Sequence, residues 1–167
     1  MFRKVDDFIG NYSEHLKNVA KLMSTITDES LAQEVAPGHR NLGQIAWHIA
    51  QSIPEMTNRT GLSVSGPAES DPVPAFARAI AEAYESSANS LLDEVKSKWD
   101  DSTLEIVDDM YGMKWQRGLT LSILISHDLL HGGEMTVLMR QAGLRVHGLC
   151  GPSKEEWAEY GMEAPAI

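Results

Sequence analysis

The chain has 167 residues, a net charge of −10, a hydrophobic fraction of 43% and a charged fraction of 23%. The negative charge repels phosphate backbones and anionic lipids, which argues against nucleic acids and membranes as partners. One cysteine excludes an internal disulfide, and without a signal peptide or a run of ~18 apolar residues we expect a cytoplasmic protein.

In the first third of the chain, apolar residues recur every three or four positions, a spacing typical of amphipathic helices. This pattern predicts a first helix over roughly residues 3–26. The second helix is predicted from about Asn41, a favourable N-cap, to about Arg59. Pro54 is expected to kink this helix or to end its regular part.

Residues 60–74 carry two glycines, three prolines and three serines, a composition that predicts the one long loop. A third helix is predicted to begin near Pro74, and its apolar stripe extends to Val95. Residues 103–109 and 113–116 are compatible with either a short hairpin or an irregular link. The spacing of Ser153 and Glu156 predicts a capping box at the start of one short terminal helix.

The last long helix is predicted over Leu119–Ala142 and ends at Gly143, a residue suited to the left-handed conformation that terminates helices. Four long amphipathic helices joined mainly by short links are typical of a four-helix bundle. The length of the chain suits a single domain. The sequence therefore predicts an all-α fold, a four-helix bundle with a short C-terminal helix, over residues 1–167.

Three histidines predict a metal site. His127 and His131 are four residues apart, so they lie on one side of the last helix. His48 lies on the second helix and can reach a neighbouring helix. Three neutral imidazoles can bind one metal ion and leave room for water or substrate. The alternative is that these are core histidines bonded to Ser, Asp or backbone groups.

The neighbours of these histidines extend the prediction. A helical wheel predicts that the face carrying His127 and His131 points into the bundle and leaves Asp128 on the solvent side. Four further residues are predicted to share or flank this face, namely Ile123, Leu130, Glu134 and Leu138. Glu134 is open to several interpretations: a fourth ligand, an acceptor for an imidazole N–H, a proton carrier or a solvated carboxylate.

Other residues near the histidines carry weaker signals. Two mid-helix glycines, Gly132 and Gly133, predict close approach by another helix or a ligand, the alternative being a locally weak helix. His127–His131 differs from the zinc-protease motif H-E-x-x-H because Asp128 replaces its glutamate, which argues against protease chemistry. The other three histidines, His15, His39 and His147, are expected to be solvated. Cys150 is expected to be a small structural thiol.

The segments Asn41–Ala50 and His127–Met135, together with the tail Gly151–Trp157, resemble the DinB/YfiT-like superfamily over essentially the whole chain. The resemblance implies a bundle that is often a homodimer and binds a divalent metal, commonly zinc or nickel. Carried over residue by residue, the metal ligands would be His48, His127 and His131. Some relatives use the metal with low-molecular-weight thiols, as S-transferases or thiol-dependent isomerases.

The chain departs from a frequent pattern of that superfamily, in which a basic residue and a glutamine follow the second histidine of the last helix. Gly132 and Glu134 occupy those places, which puts transfer of the same thiol cofactor in doubt.

Three functions follow as hypotheses from these residues and from the resemblance. The leading one is a metal-dependent enzyme that activates a thiol or water for attack on a small molecule. Glu134 would carry the proton in this catalytic scheme. The alternatives are a metal-dependent hydrolase or isomerase, and a non-catalytic metal-binding or dimerising stress protein.

Overall fold

Four long helices form the body of the structure, a computed structural model that describes residues 1–166. They are α1 (Val5–Met23), α2 (Leu42–Thr57), α3 (Ala77–Lys98) and α4 (Arg117–Gln141). Helix α2 packs along both α3 and α4, while α1 packs along α3 and, over a shorter length, along α4. The predicted four-helix bundle is confirmed, and the predicted helix ends differ from those observed by three residues at most.

The core lies between the inward stripes of the helices, and its apolar side chains follow the predicted helical period. Two tyrosines, Tyr12 of α1 and Tyr84 of α3, are its largest fully buried side chains. Other fully buried core residues are Phe8, Leu22, Ile49, Ile53, Leu91 and Leu121. The core therefore holds two phenolic hydroxyls, and polar groups in such a place need partners.

A complete capping box fixes the start of α2. The Asn41 side chain accepts from the backbone N–H of Gln44 at 2.8 Å, and the Gln44 side chain accepts from the backbone N–H of Asn41 at 2.9 Å. The predicted N-cap is confirmed. The prediction that Pro54 ends the regular part of the helix is wrong, because α2 continues to Thr57. His48 thus lies in the second turn of a helix that is firmly anchored at its N-terminus.

A short hairpin, and not an irregular link, lies between α3 and α4. Strands β1 (Val107–Met110) and β2 (Met113–Gln116) pair antiparallel, with Met110 opposite Met113 at the turn. Both turn residues have positive φ, 59° at Tyr111 and 80° at Gly112, as a tight two-residue hairpin turn requires. Residues 61–76 contain no helix or strand, in agreement with the predicted loop.

Beyond α4, residues 144–160, here called the C-terminal segment, fold back over α1 and α4. The side chain of Leu149 packs so closely on Gly132 that a Cβ there would lie 2.5 Å from it. Gly133 has open space, so the predicted close approach concerns Gly132 alone. The predicted terminal helix is the 3-10 turn Trp157–Tyr160.

The predicted capping box of this segment forms only in part. The backbone N–H of Ser153 donates to Glu156 at 2.9 Å, whereas the Ser153 hydroxyl has no partner within residues 1–166.

Among residues 1–166, no helix is long and apolar enough to span a bilayer.

Candidate metal centre

The packing of α2 against α4 brings three histidines together. His48 comes from α2, and His127 and His131 come from successive turns of α4. Their ring centroids are 5.0 Å apart for His48 and His127, 4.9 Å for His48 and His131, and 4.4 Å for His127 and His131. The three rings that the spacing predicts to converge do so, at the edge of the core.

The nitrogens of these rings face one another at distances that suit a single ion. The Nε2 atoms of His48 and His127 are 3.2 Å apart. Each ring offers one nitrogen, and the three nitrogens lie within 4.8 Å of one another. Tetrahedral zinc with bonds of about 2.0–2.1 Å separates its ligand atoms by roughly 3.3 Å. The donor set therefore fits a divalent metal that prefers imidazole.

The outer nitrogen of His131 is held by a carboxylate. Its Nδ1 lies 2.7 Å from Oε2 of Glu134, one turn further along α4. Such a bond fixes the ring orientation and leaves Nε2 for a metal, as is usual behind histidine ligands. Glu134 is exposed at its other side. Of the interpretations given for Glu134, the structure supports the acceptor of an imidazole N–H.

Electrostatics keep His48 neutral. Burial first, and then the positive charge of Arg40 and the two neighbouring rings, together lower its pKa to about 4. An imidazole binds a metal only in its neutral form. His48 therefore has a free lone pair throughout the physiological pH range.

A cavity of about 440 Å³ adjoins one side of this cluster, at His131 and Glu134. Its walls are mainly apolar side chains, Val35, Ile45, Val137 and Leu138, while His39 and Arg40 add polar groups. Pockets of this kind, mostly apolar with a few polar groups, are typical of small-molecule sites.

Comparison with known proteins agrees with this fold. A family model described as the DinB family matches residues 1–164. The chain belongs to the DinB family. It is 42% identical over 167 residues to the uncharacterised protein YrdA of Bacillus subtilis (strain 168), covering 100% of both chains.

Two solved structures of DinB-like proteins are similar to this chain. One, from Bacillus cereus ATCC 10987, is 38% identical with a TM-score of 0.86, covering 89% of this chain and 99% of that one. The other, YjoA from Bacillus subtilis, is 14% identical with a TM-score of 0.65, covering 86% and 97%. The likeness to YjoA concerns the fold alone.

The predicted inward face of α4 in this DinB protein is wrong by about 100°. Asp128, predicted on the solvent side, is fully buried, while Leu130, predicted inside, is 63% exposed. His127 and His131 retain partly exposed side chains, 26% and 13%, at the edge of the core. Apolar residues lie on all sides of α4, so the spacing of these residues does not indicate which side packs against the other helices.

Two further histidines depart from the predicted solvated state. His15 is buried, and its Nε2 lies 3.2 Å from Oδ2 of Asp128. His147 is largely buried against Glu156, at 3.0 Å. His39 is exposed, as expected. Cys150 is exposed rather than packed in the core, which contradicts the structural role expected for its thiol.

The pair of His15 and Asp128 is the feature that sequence reasoning missed. A signal for it existed, because His15 lies three residues after Tyr12 and four before Val19, on the buried face of α1. A histidine on such a face needs a partner inside the core. No comparable signal marked Asp128, because its partner lies 113 residues away in sequence.

Proposed function

We propose that this DinB-family protein binds one divalent metal ion, zinc or nickel, through His48, His127 and His131. The observation that carries the proposal is the convergence of three ring nitrogens from two helices within 4.8 Å. A hydrogen bond between two neutral rings would explain the 3.2 Å contact of His48 and His127 but not the approach of His131.

We propose further that the site acts on small molecules, with a thiol as the favoured reactant. A divalent metal in such a site lowers the pKa of a bound thiol or water and so supplies a nucleophile near neutral pH. The apolar cavity wall beside His131 supports binding of the organic part of a substrate. A cytoplasmic location is part of this proposal, since a reducing compartment keeps such a thiol reduced.

In this scheme Glu134 has two tasks. Its Oε2 holds Nδ1 of His131, which orients that ring. Its carboxylate also lines the cavity and remains open to solvent, so it can accept the proton that a thiol gives up. With an aryl halide as the electrophile, the thiol sulfur would form a bond to the carbon that carries the halogen, and the halide ion would leave.

A homodimer also belongs to the proposal, with a second copy of the chain on α4. Leu130 and Val137 are 63% and 50% exposed, and they lie seven residues apart on one side of this helix. Gly133 lies between them and has open space where a side chain would be. Apolar residues at this spacing, with a small residue between, suit close packing against another helix.

The test begins with elemental analysis of untagged wild-type protein beside His127→Ala, because a polyhistidine tag would itself bind metal. We expect about one zinc or nickel per wild-type chain and much less in the variant. Cysteine, coenzyme A and glutathione are then assayed as thiols with chlorodinitrobenzene as the electrophile. Wild-type protein without metal would overturn the proposed site. Metal without turnover of any thiol would overturn only the transfer chemistry and favour hydrolysis or isomerisation.

A further inference from the structure

Behind the metal centre lies a buried polar cluster made of Tyr12, His15, Tyr84 and Asp128. Asp128 is 0% exposed and His15 is 6% exposed. Burial, and then the charge of Asp128, raise the pKa of Tyr12 well above its usual value. A buried carboxylate is costly unless it is paired and hydrogen-bonded, so a core carboxylate that persists needs a reason.

The two oxygens of Asp128 differ in their surroundings. Oδ2 accepts from Nε2 of His15 at 3.2 Å. Oδ1 is buried and has no hydrogen-bond partner among residues 1–166. The same holds for Nδ1 of His127, which is also buried and unpartnered within that range. These two atoms are 3.9 Å apart.

The two unpartnered atoms are complementary. Nε2 of His127 faces Nε2 of His48, and when it binds the shared ion, the outer nitrogen Nδ1 carries the proton. A carboxylate oxygen accepts such a proton, and a shift of about 1 Å brings the 3.9 Å separation to the ordinary hydrogen-bond distance of about 2.9 Å. His15 keeps Asp128 in place from the other side.

We propose that Asp128, held by His15, is a positioning residue that orients His127 for the metal. Asp128 would accept the Nδ1 proton of His127 and keep Nε2 directed at the shared point, as Glu134 does for His131 from the solvent side. The inference rests on the proposed metal site. It assigns each histidine of α4 its own supporting carboxylate, one buried and one exposed.

Zinc affinity separates this role from a merely structural one. We would titrate untagged wild type and Asp128→Asn with zinc against a competing chelator, and record the visible spectrum of both proteins with cobalt in place of zinc. Loss of the carboxylate behind a ligand typically weakens metal binding about 10- to 100-fold. We expect that loss in Asp128→Asn, together with a changed cobalt spectrum. A structural role would lower thermal stability and leave both readouts unchanged.

Tyr12→Phe is the matched control, because it removes a hydroxyl of the same cluster and leaves the carboxylates of Asp128 and Glu134 and all the histidine rings in place. We expect its zinc affinity to stay within about twofold of wild type, whereas His15→Gln should weaken binding about tenfold by releasing Asp128. A Tyr12→Phe variant that loses as much affinity as Asp128→Asn would overturn the proposal, since the effect would then belong to core packing.

Nuclear magnetic resonance of the zinc-loaded wild type decides the matter even if Asp128→Asn does not fold. We expect the His127 ring to carry its proton on Nδ1, protected from exchange with solvent. A proton on Nε2 would overturn the proposal, as would wild-type affinity in Asp128→Asn. A wild-type protein that binds neither zinc nor nickel would overturn the metal site as well, whereas wild-type affinity in Asp128→Asn leaves that site standing.

Discussion

Replacement of His48 by alanine is the most direct perturbation of the metal centre. Zinc held by four protein ligands binds with roughly 10–16 kcal/mol, or about 2.5–4 kcal/mol per ligand. Loss of one imidazole should therefore weaken zinc binding by about two to three orders of magnitude. His48 is only partly buried and is neutral near physiological pH, so its replacement should change the free energy of unfolding of the metal-free protein by less than about 1 kcal/mol.

Thermal or urea denaturation with and without zinc measures this difference. Zinc at 100 times the wild-type Kd should stabilise the wild type by about 2.7 kcal/mol and His48→Ala by about 0.4 kcal/mol or less. His39→Ala is the control, since His39 is exposed and, although it lines the cavity beside His131, lies outside the cluster of three rings. It should gain stability from zinc as the wild type does. Equal stabilisation of wild type and His48→Ala would refute the shared role of the three imidazoles.

Three further outcomes test the fold and the assembly. Glu156→Gln should lower the free energy of unfolding by about 2–3 kcal/mol at neutral pH, because it removes a carboxylate that accepts several hydrogen bonds. Burial raises the pKa of Glu156, but hydrogen bonds from the Ser153 backbone, Lys21 and His147 outweigh burial and lower the pKa far below 4.5. The pKa of Glu156 is lower in the folded state than in the unfolded state, so this stabilisation is complete above about pH 5 and should shrink as the pH falls below that. A difference in free energy of unfolding between the two proteins that stays constant down to acid pH would contradict this prediction. At protein concentrations low enough to keep the chain monomeric, Gly133→Ala should raise the free energy of unfolding by about 1 kcal/mol and Gly132→Ala by less, because only the latter displaces Leu149. Equal gains in urea denaturation would argue against that contact. Leu130→Glu should convert a dimer to a monomer in sedimentation equilibrium, and a wild type that is already monomeric would exclude the proposed interface.

Much of the bundle could be predicted because the information is local. The capping pair Asn41 and Gln44 lies within one helical turn, and the four-residue spacing of His127 and His131 alone puts both rings on one side of α4. Propensity, capping and period act over a few residues and need no partner helix. The sequence does not distinguish the hairpin around Tyr111 and Gly112 from an irregular link, since strands of four residues are too short to show a clear alternation of apolar and polar residues.

The sequence by itself determined the helices, the N-cap of α2 and the three histidines as candidates for one site. Only the tertiary structure decided which side of α4 is buried, because a helix that is apolar all round gives its period no preferred direction. That choice put Asp128 against His15 of α1 and left Leu130 in solvent. Pairing across 113 residues depends on where two helices come to rest, which no local pattern encodes.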